Sequence, residues 1–583
     1  MFDTIAAPVG RGPDASSILE YPDFMSALVT VLCLATYVLG YHFYGRRIAR
    51  HVFRLDPNAV TPAYALQDGI DYVPSRKYVL FGHHYASIAG LSPMLGPAIA
   101  VIWGWVPAML WVVFGTLLIG AVHDFSALVV SMRAQGQSIG KVAESAIGPR
   151  GKSLFHAIIF FLVSLAMGVF VQVVSQLFSA AFYPESAFPT AALMVLAIAL
   201  GVLFYKKGLP LAPLTAVGFA LTLGALFAGL ALPRPDLSVD AWSTILLIYA
   251  FCASVLPVWL LLQPRDYLNS LLLYLGLAAI FGGFMLLQPE FVAPAFDPNP
   301  AGAPPMYPFV FIIIACGAIS GFHGLVSSGT TAKQISRETD ATFIGYGGMI
   351  GESLLGLAAV LACTAGFISA SAWNEHYASW NVAQGLGQSM SAFINGSGLF
   401  ISQLGVPEGT ARAFVALVAV SFALTTLDSG TRLLRYNIQE ISDTLGAPVL
   451  GNRHLASALA VFFIGFFAFF RVDGQSAGLM LWALFGTTNQ ILGSLTLLTV
   501  TLYLMQRRAN YLYTLIPMAF MLVTTLVGMV YNIGTFYESG SLLLLGVGVI
   551  LLVLAIWLVI EAIVRFRSIR EEIQDETRAP ITL

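Results

Sequence analysis

The feature that most constrains this chain is its succession of long apolar runs. A helix needs about 20 consecutive apolar residues to cross the hydrocarbon core of a bilayer. Fifteen such runs occur along the 583 residues, and they begin near Phe24, Val79, Pro107, Leu154, Thr190, Pro210, Trp242, Leu268, Phe309, Thr342, Ala411, Leu455, Ala477, Leu512 and Leu542. The sequence therefore predicts an all-α polytopic membrane protein with about fifteen transmembrane helices.

The composition supports a membrane environment and excludes other classes. Hydrophobic residues make up 58% of the chain and charged residues only 10%, whereas soluble globular proteins carry about 25% charged residues. The net charge of −2 provides no basic field, so no nucleic-acid partner is expected. The four cysteines lie in apolar runs without a C-x-x-C spacing, which favours a role as small core residues.

The distribution of Lys and Arg predicts the orientation. If the N-terminus is outside, all but four of the 28 basic residues fall on one side, and the exceptions are Arg11, Arg234, Arg412 and Arg471. Basic connections stay in the cytoplasm. We therefore expect a bacterial inner-membrane protein with its N-terminus outside and its C-terminus cytoplasmic. The first twenty residues lack a basic start and an apolar core, so no cleavable signal is expected.

Three apolar runs contain residues that interrupt helices. They are Phe81 to Pro97, which combines glycines and prolines with two adjacent histidines, then Pro257 to Pro264, and Ala315 to Gln334. Unpaired backbone groups in hydrocarbon cost several kcal/mol each, so such clusters indicate cavities lined by protein. We expect the first two segments to be unwound near the middle of the membrane and to face one central cavity.

The positions of these breaks predict an internal repeat. Broken helices at matching positions of two halves are typical of secondary transporters. With spans two to six as one half and seven to eleven as the other, each half begins with a broken helix, and the odd number inverts the second half. The predicted parts are an N-terminal anchor helix and cytoplasmic segment at 1–78, five-helix repeats at 79–241 and 242–430, and peripheral helices with a cytoplasmic tail at 431–583.

Two connections are longer than the others. One is the cytoplasmic segment from Gly45 to Tyr78, and the other is the outer segment from Ser369 to Thr410. Each either packs at the membrane surface or acts as a gate or lid.

Five longer motifs are distinctive in combination. They are VTPAYALQDGIDYVPSRKYVLFGHHYASIAG (Val60 to Gly90), GAVHDF (Gly120 to Phe125), ISGFHGLVSSGTTAKQ (Ile319 to Gln334), TTLDSGTRLLRYNIQE (Thr425 to Glu440) and LWALFGTTNQ (Leu481 to Gln490). Over nearly the whole chain, the sequence resembles the carbon starvation protein A (CstA) family of bacterial peptide and pyruvate transporters. The resemblance implies proton-coupled uptake of peptides or of pyruvate-like carboxylates, on a scaffold similar to the five-plus-five inverted repeat of the APC superfamily. It leaves peptide and pyruvate both open.

Several polar residues in or near the apolar spans are candidates for substrate binding. An imidazole binds a carboxylate when charged and passes on a proton near neutral pH. The candidate substrate-binding residues are His83, His84, Tyr85, Ser87, His323, Asn489 and Gln490. The alternative is structural, because histidines can bond carbonyls freed by a break, and buried amides can tie span thirteen to its neighbours.

Ionisable residues inside apolar spans are candidates for coupling, because an intramembrane charge is costly and is functional by default. His123 and its neighbour Asp124 suit a proton relay, although water can reach them if they lie near the cytoplasmic end of span three. Glu352 lies deeper, within GGMIGESLLG, and is the best single candidate for a proton-carrying carboxylate. Asp428 and Arg432, by contrast, are spaced for a structural ion pair within one helix.

The hydroxyl-rich end of span nine offers a second coupling hypothesis. Ser327, Ser328, Thr330 and Thr331 supply oxygens that suit a hard cation, and in transporters of similar fold such hydroxyls line a sodium site. The same hydroxyls can instead bond to their own helix. Lys333 either replaces the ion with a fixed positive charge or is an ordinary positive-inside residue.

Two further classes stand as alternatives. One is a channel for a small solute. The other is an intramembrane metalloenzyme with His83, His84, His123 and Asp124 as ligands, yet no H-E-x-x-H, G-x-S-x-G, C-x-x-C-H or P-loop motif occurs. We expect no enzyme activity and no cofactor. The expected partners are a small-molecule substrate, the lipid bilayer and a proton or sodium ion, while metal binding and the oligomeric state stay open.

Overall fold

The chain folds into a bundle of α-helices. The computed structural model describes residues 24–472 and 475–578, and most of this part is helical. Its only strands, Arg471–Val472 and Gln475–Ser476, have two residues each and pair antiparallel, with Arg471 opposite Ser476. The predicted all-α class is confirmed.

Twelve α-helices make up the first half of the chain. They are α1 (Met25–Leu39), α2 (Pro62–Ala65), α3 (Lys77–Ile88), α4 (Ser92–Ala100), α5 (Trp105–Leu110), α6 (Ala121–Arg133), α7 (Ile139–Ala146), α8 (Pro149–Phe178), α9 (Ala187–Gly201), α10 (Leu211–Ala231), α11 (Val239–Val255) and α12 (Leu262–Leu287). Helical turns of π type follow α1 and α9, and the π segment Trp111–Gly120 joins α5 to α6 in one span.

Eleven α-helices make up the second half. They are α13 (Met306–Ile313), α14 (Gly321–Gly329), α15 (Gly347–Ala365), α16 (Ala370–His376), α17 (Trp380–Ala383), α18 (Leu386–Ser402), α19 (Glu408–Leu445), α20 (Arg453–Phe469), α21 (Ala477–Gln506), α22 (Leu512–Glu538) and α23 (Leu542–Arg578). The π segment Thr342–Tyr346 leads into α15.

The polytopic character of the chain follows from the length and hydropathy of these helices. Ten helices in the described part can each cross a membrane, and the bent pair of α3 and α4 makes an eleventh span. Two shorter apolar helices, Val239–Val255 and Arg453–Phe469, lie beside them. Each of the fifteen predicted apolar runs coincides with a helix or a broken helix, while the count of fifteen membrane crossings stays a prediction.

The bundle has two ends, which we call the basic face and the opposite face. Arg133 Nη2 lies 2.5 Å from Glu338 Oε1, which brings the end of α6 and the approach to α15 together at the basic face. At the opposite face, the Trp105 amide donates to the Pro294 carbonyl over 3.1 Å, which joins the start of α5 to the connection after α12. These contacts define the two ends of the bundle.

The first predicted break is confirmed. The segment Ala89–Leu91 separates α3 from α4, whose axes differ by 48°. Pro93 sits in the first turn of α4, where a missing N–H costs nothing, so the sequence favours a new helix at this point. Twelve residues precede the break and twelve follow it, because the turn Val101–Trp103 extends α4. The break therefore lies at the middle of the span.

The predicted break between Ala315 and Gln334 is also confirmed. Here α13 ends at Ile313 and α14 begins at Gly321, and the seven residues between them are not helical. Gly317 has φ +95°, a conformation that glycine adopts without strain. This second broken helix runs from the opposite face towards the basic face.

The prediction for Pro257 to Pro264 is wrong in both its kind and its position. These residues connect two separate helices, α11 and α12, and do not interrupt a single span. Pro257 follows the extended residue Leu256, which ends α11, and Pro264 falls in the first turn of α12. The Val258 amide donates to the Ile70 carbonyl over 3.0 Å, so this connection lies at the basic face and not at mid-membrane. Proline marks a helix end as readily as a break.

The packing of the helices relates two sets of five spans. Helix α3 packs along α12, and α14 packs along α21 in the same way. Helix α8 packs on α19, and α11 and α20 each pack against both α8 and α19. Corresponding helix pairs of this kind are expected from an inverted repeat. The division at 79–241 and 242–430 stays a prediction. The packing also agrees with a second division, in which the repeats cover 77–287 and 306–506 and α9 and α10 form an additional hairpin.

The outer segment from Ser369 to Thr410 covers part of the opposite face. The Tyr377 hydroxyl donates to the Ala98 carbonyl of α4 over 2.8 Å, and Trp373 Nε1 donates to the Cys363 carbonyl of α15 over 3.0 Å. Helix α18 packs on α12, α15 and α19. The segment therefore packs on protein at the ends of the spans.

The orientation of the bundle can be tested at the C-terminus. We predict that the basic face is cytoplasmic, because it carries most of the Lys and Arg. A green fluorescent protein fused after Leu583 should fluoresce, and alkaline phosphatase at the same position should be inactive. The control is a phosphatase fusion between α10 and α11, which should be active. A C-terminal phosphatase that is active in the periplasm would contradict the orientation.

Candidate functional site

The two broken helices meet at their breaks. Gly96 of α4 lies so close to α13 that a Cβ atom at this position would be 2.5 Å from the Ile313 carbonyl oxygen. A Cβ on Gly317 would be 3.6 Å from Pro93. The approach at Gly96 requires a residue without a side chain, whereas 3.6 Å is an ordinary packing distance. The unwound backbone of both spans is thus gathered inside the bundle, where protein surrounds it.

Four titratable side chains, which we call the central cluster, lie beside these breaks. His123 and Asp124 come from α6, His323 from α14 and Glu352 from α15, and all four are fully buried. His123 Nδ1 lies 2.7 Å from Asp124 Oδ1, and His323 Nδ1 lies 3.1 Å from Asp124 Oδ2. The other ring nitrogen of His323 lies 3.4 Å from Glu352 Oε2. Three helices thus bring together residues that the sequence analysis selected separately.

The His323 ring bridges two carboxyl groups, and the two contacts differ. The contact to Asp124 is an ordinary hydrogen bond, whereas 3.4 Å to Glu352 is longer than a normal N–H···O bond. In the described part of the chain, neither carboxyl oxygen of Glu352 has a hydrogen-bond partner. A buried ionised carboxylate without hydrogen bonds is costly. The arrangement therefore favours a proton on Glu352 or between Glu352 and His323.

A cysteine from the second break lies next to the central cluster. One ligand-type atom from each of Cys316, His323 and Glu352 lies within 4.8 Å of the other two. No other group of three such side chains occurs within residues 24–472 and 475–578. These three residues are the candidates if the protein holds a metal ion. The four residues of the metalloenzyme alternative do not form such a group.

A second group of buried charges, which we call the inner ion cluster, lies on the basic-face side. His83 Nδ1 of α3 lies 2.5 Å from Asp266 Oδ2 of α12, and Asp266 Oδ1 accepts from Arg265 Nη2 over 2.6 Å. Arg265 also pairs with Asp428 of α19. The Tyr249 hydroxyl of α11 donates to Asp428 Oδ2 over 2.5 Å and accepts from Arg265 over 2.7 Å. This cluster ties four helices together.

Helix α3 connects the inner ion cluster to the end of the second broken span. Adjacent helical residues point about 100° apart, so His83 faces α12 while His84 faces the end of α14. His84 Nδ1 lies 2.9 Å from Thr331 Oγ1. Gln334 Nε2 lies 3.3 Å from His83 Nε2 and donates to the Thr330 carbonyl over 3.2 Å. A chain of short polar contacts therefore runs along the inner half of the broken span.

The predicted pair of Asp428 and Arg432 is wrong. Helix α19 does continue through both residues, but each finds a nearer partner on another element. Asp428 pairs with Arg265, and Arg432 Nη1 donates to Asp71 Oδ1 over 2.8 Å. Spacing of four residues permits an ion pair, and tertiary packing decides whether it forms.

Asp71 holds two buried guanidinium groups at the basic face. Arg435 Nη2 lies 3.0 Å from Asp71 Oδ2, and both Arg432 and Arg435 are fully buried. Burial alone would raise the pKa of the Asp71 carboxyl, but the charges of Arg435 and Arg432 outweigh it and hold that pKa well below its usual range. The segment before α3 is thereby fixed to α19.

A cavity of about 500 Å³ opens at the opposite face. Residues of α4, α13, α17, α21 and α22 form much of its wall, and two lining residues, Ser92 and Cys316, lie at the two breaks. No acidic or basic side chain lies among its described lining residues. Ser92 Oγ is buried without a hydrogen-bond partner in the described chain, and as the first residue of α4 Ser92 has an N–H that lacks an intrahelical acceptor.

The remaining substrate-binding candidates make contacts within the protein. The Tyr85 hydroxyl donates to the Gly351 carbonyl over 2.8 Å, and Ser87 Oγ lies 2.8 Å from another hydroxyl, that of Ser429. Asn489 Oδ1 accepts from the Phe322 amide over 3.0 Å and so caps α14, while Gln490 donates to the Phe311 carbonyl. Asn489 and Gln490 therefore hold the second broken helix against α21. Their role in substrate binding stays a prediction.

Two of the four hydroxyls at the end of span nine are bonded to their own helix. Ser328 donates to the Gly324 carbonyl over 2.7 Å, and Thr330 donates to the Val326 carbonyl over 3.0 Å. Ser327 Oγ is buried without a hydrogen-bond partner in the described part. Thr331 contacts His84, as described above. These hydroxyls do not converge on one point through their hydrogen bonds, and the sodium site stays a prediction.

Lys333 packs between aromatic rings at the basic face. Its Nζ atom lies 3.6 Å from the centroid of the Tyr436 ring and 5.4 Å from that of Tyr72. A cation over an aromatic face is stabilised electrostatically. This contact supports a structural role, and participation in coupling stays a prediction.

The sequence analysis did not identify several participants in these sites. Among them are Arg265 and Asp266, which directly follow Pro264, and Ser92, which directly follows the first break. For Asp266 a signal existed, because a charged residue inside an apolar span is costly and points to function. Nothing local distinguishes Ser92 from other hydroxyls, since its importance depends on the cavity.

Two broken spans that meet around buried titratable groups, next to a cavity open to one side, define a membrane transport protein. A solved structure supports the fold. A mutant of the Eremococcus coleocola manganese transporter is 12% identical, with a TM-score of 0.50, over 86% of this chain and 99% of that chain. At this identity the likeness shows the fold alone.

Sequence comparison identifies the family. The family model described as "Carbon starvation protein CstA" matches residues 25–404 and 378–528. The "Peptide transporter CstA" of Campylobacter jejuni is 33% identical over 90% of this chain and 82% of its own length. The "Pyruvate/proton symporter BtsT" of Escherichia coli K12 is 31% identical over 87% of this chain and 82% of its own length. The chain belongs to the CstA family of multi-pass membrane transporters.

The contact of Asp71 with two buried arginines yields a stability prediction. Asp71→Asn should lower the free energy of unfolding by about 3–5 kcal/mol, because it leaves buried charges without a counter-ion. Because the folded-state pKa of Asp71 is lowered, the contribution is full above the ordinary pKa of an aspartate, about 4, and is lost as the pH falls below it.

Thermal unfolding of the purified protein at pH 7 measures this effect. Asp443→Asn is the matched control, because Asp443 is exposed near the end of α19. Equal unfolding midpoints for the two variants would contradict the assignment of Asp71 as a structural anchor.

Proposed function

We propose that this chain is a secondary active transporter that imports peptides or small carboxylates such as pyruvate, together with protons, across the bacterial inner membrane. The relatives support this proposal, since one is named a peptide transporter and another a pyruvate/proton symporter. They are named as transporters and not as enzymes, which favours a non-catalytic role. The surplus of basic residues at one face supports a cytoplasmic location for that face.

The proposal of proton coupling rests on the burial and the missing hydrogen bonds of the Glu352 carboxyl group. This group is fully buried at the level of the breaks and has no hydrogen-bond partner in the described chain. His323 Nε2 lies 3.4 Å from Glu352 Oε2, near enough to exchange a proton with it, and that ring is held in place by Asp124. A carboxyl group that is neutral when water is excluded and ionised when water reaches it can carry one proton per cycle.

The cavity supports a route for the proton from the opposite face. Cys316 lines the cavity and also lies within 4.8 Å of ligand-type atoms of Glu352 and His323. The cavity and the central cluster are therefore separated by a single residue. In the proposed cycle, Glu352 is protonated from this side, and the proton leaves towards the basic face after the bundle has changed its access.

The start of α4, at the end of the first break, suits a substrate that carries a carboxylate. Peptides and pyruvate share a carboxylate, and anions are stabilised at a helix N-terminus, where backbone N–H groups lack partners. Ser92, the first residue of α4 and part of the cavity wall, provides such an N–H together with a hydroxyl that has no hydrogen-bond partner in the described chain. Because none of the described lining residues is a cation, co-transport of a proton balances the charge of the anion.

The inner ion cluster supports a closed basic face in this structure. His83 ties α3 to α12 through Asp266, and Ser87 ties α3 to α19 through Ser429. A path to the basic face requires α3 to move away from these partners. We propose that separation of His83 from Asp266 is part of inward opening, and that loss of the coupling proton accompanies it.

The coupling role of Glu352 can be tested by substitution. Glu352→Gln mimics the protonated side chain, so reconstituted protein should still exchange labelled substrate across the vesicle membrane. It should lose accumulation driven by a pH gradient, because the amide cannot release a proton. Uptake of labelled pyruvate and of di- and tripeptides is measured with pH and sodium gradients imposed separately.

The matched control for this experiment is a carboxylate far from the central cluster. Glu538→Gln removes an exposed carboxylate at the opposite face and should leave uptake unchanged. Proton-driven accumulation at the wild-type level in Glu352→Gln would exclude Glu352 as the obligatory carrier. Accumulation driven by sodium alone in the wild type would shift the coupling site to the hydroxyls between Ser327 and Thr331.

A further inference from the structure

A second cavity, of about 510 Å³, opens at the basic face. It lies between the π-helical segment after α1, the start of α3 and the approach to α15. Its polar lining consists mainly of four cations and two hydroxyls, from Arg46, Arg50, Arg54, Lys77, Thr339 and Thr342. It is separate from the central cluster and from the cavity at the opposite face.

The positive charge of this cavity is almost unbalanced. Within residues 24–472 and 475–578, none of Arg46, Arg50 and Arg54 forms a salt bridge, and Lys77 has only a long contact of 3.9 Å to Asp340. The nearby carboxylate of Glu338 is already paired with Arg133. Like charges at close range repel one another, so an anion in the cavity would stabilise it.

The lining groups suit a phosphate. An arginine presents a planar fork of N–H donors that matches the oxygens of a phosphate, and hydroxyls add further hydrogen bonds. Lys77 is also the first residue of α3, whose twelve residues place the positive end of a helix dipole at this point. The site therefore has three independent features that favour a multiply hydrogen-bonded anion.

The surroundings of the cavity indicate a lipid as the source of the phosphate. Phe43 lies on the π segment after α1 and Tyr78 lies on α3, each close in sequence to residues that line the cavity. Their side chains are 73% and 70% exposed. In a membrane protein, large apolar side chains exposed beside clustered cations lie where acyl chains meet headgroups. We propose that this cavity binds the phosphate headgroup of an anionic phospholipid from the leaflet at the basic face.

A lipid at this site would act on the inner half of the first broken span. Lys77 Nζ lies 4.5 Å from the centroid of the Phe343 ring, and that ring is 4.6 Å from the ring of Phe81 on α3. The headgroup would therefore contact both α3 and the approach to α15. An anionic lipid would stabilise the arrangement in which α3 is held at the basic face.

Lipid binding to the purified full-length chain tests the proposal. Native mass spectrometry in detergent counts bound phosphatidylglycerol and phosphatidylcholine as each is titrated. Removing two of the four cations with Arg50→Gln and Arg54→Gln should weaken phosphatidylglycerol binding about tenfold or more. Phosphatidylcholine should bind weakly and equally to both proteins.

The matched control removes two exposed cations elsewhere on the same face. Lys206→Gln with Lys207→Gln should leave phosphatidylglycerol binding unchanged. If the arginine double variant does not fold, Arg54→Gln alone should weaken binding about fivefold. Equal phosphatidylglycerol binding by the arginine and lysine variants would overturn the proposal. Displacement of the lipid by inorganic phosphate at equal concentration would also overturn it, because it would indicate a free-phosphate site.

Discussion

The structure depends on burying titratable groups inside an apolar bundle. Charges cannot face hydrocarbon without a large cost, so His123, Asp124, His323 and Glu352 must find partners in one another. They do so beside the two breaks, where unwound backbone also needs a protein surrounding. The breaks and the cluster therefore support each other, because the same enclosed volume satisfies both. Within the described chain, the carboxyl oxygens of Glu352 have no hydrogen-bond partner, and its contact in the cluster is the His323 ring at 3.4 Å.

A single half-helix relates this central volume to the basic face. Helix α3 carries His83 to the inner ion cluster and His84 to the end of the second broken span, so neither contact can change without affecting α3. At its first residue, Lys77, the same helix borders the cationic cavity. A transporter needs an element whose position depends on both the substrate side and the release side. In this fold α3 is placed to be that element.

The sequence predicted the features that are local and missed those that are distant. Apolar runs define their own helices, and an acid such as Glu352 is conspicuous in an apolar span, so both could be recognised without a structure. Pro257 and Pro264 were misinterpreted because a proline ends a helix as readily as it breaks one. The pairing of Asp428 with Arg432 failed because partners from other helices lie closer. Residues far apart in sequence form the inner ion cluster, and no local sequence pattern predicts their contacts.

We propose that substrate and proton cross the membrane together, and proton movement during uptake tests this coupling most directly. Proteoliposomes loaded with a pH-sensitive dye are given pyruvate or a dipeptide outside, with no initial gradient of pH or sodium. Symport predicts that the interior acidifies at the rate at which labelled substrate enters, and that a proton-selective ionophore abolishes this acidification. Entry of substrate at the same rate without acidification would contradict the account.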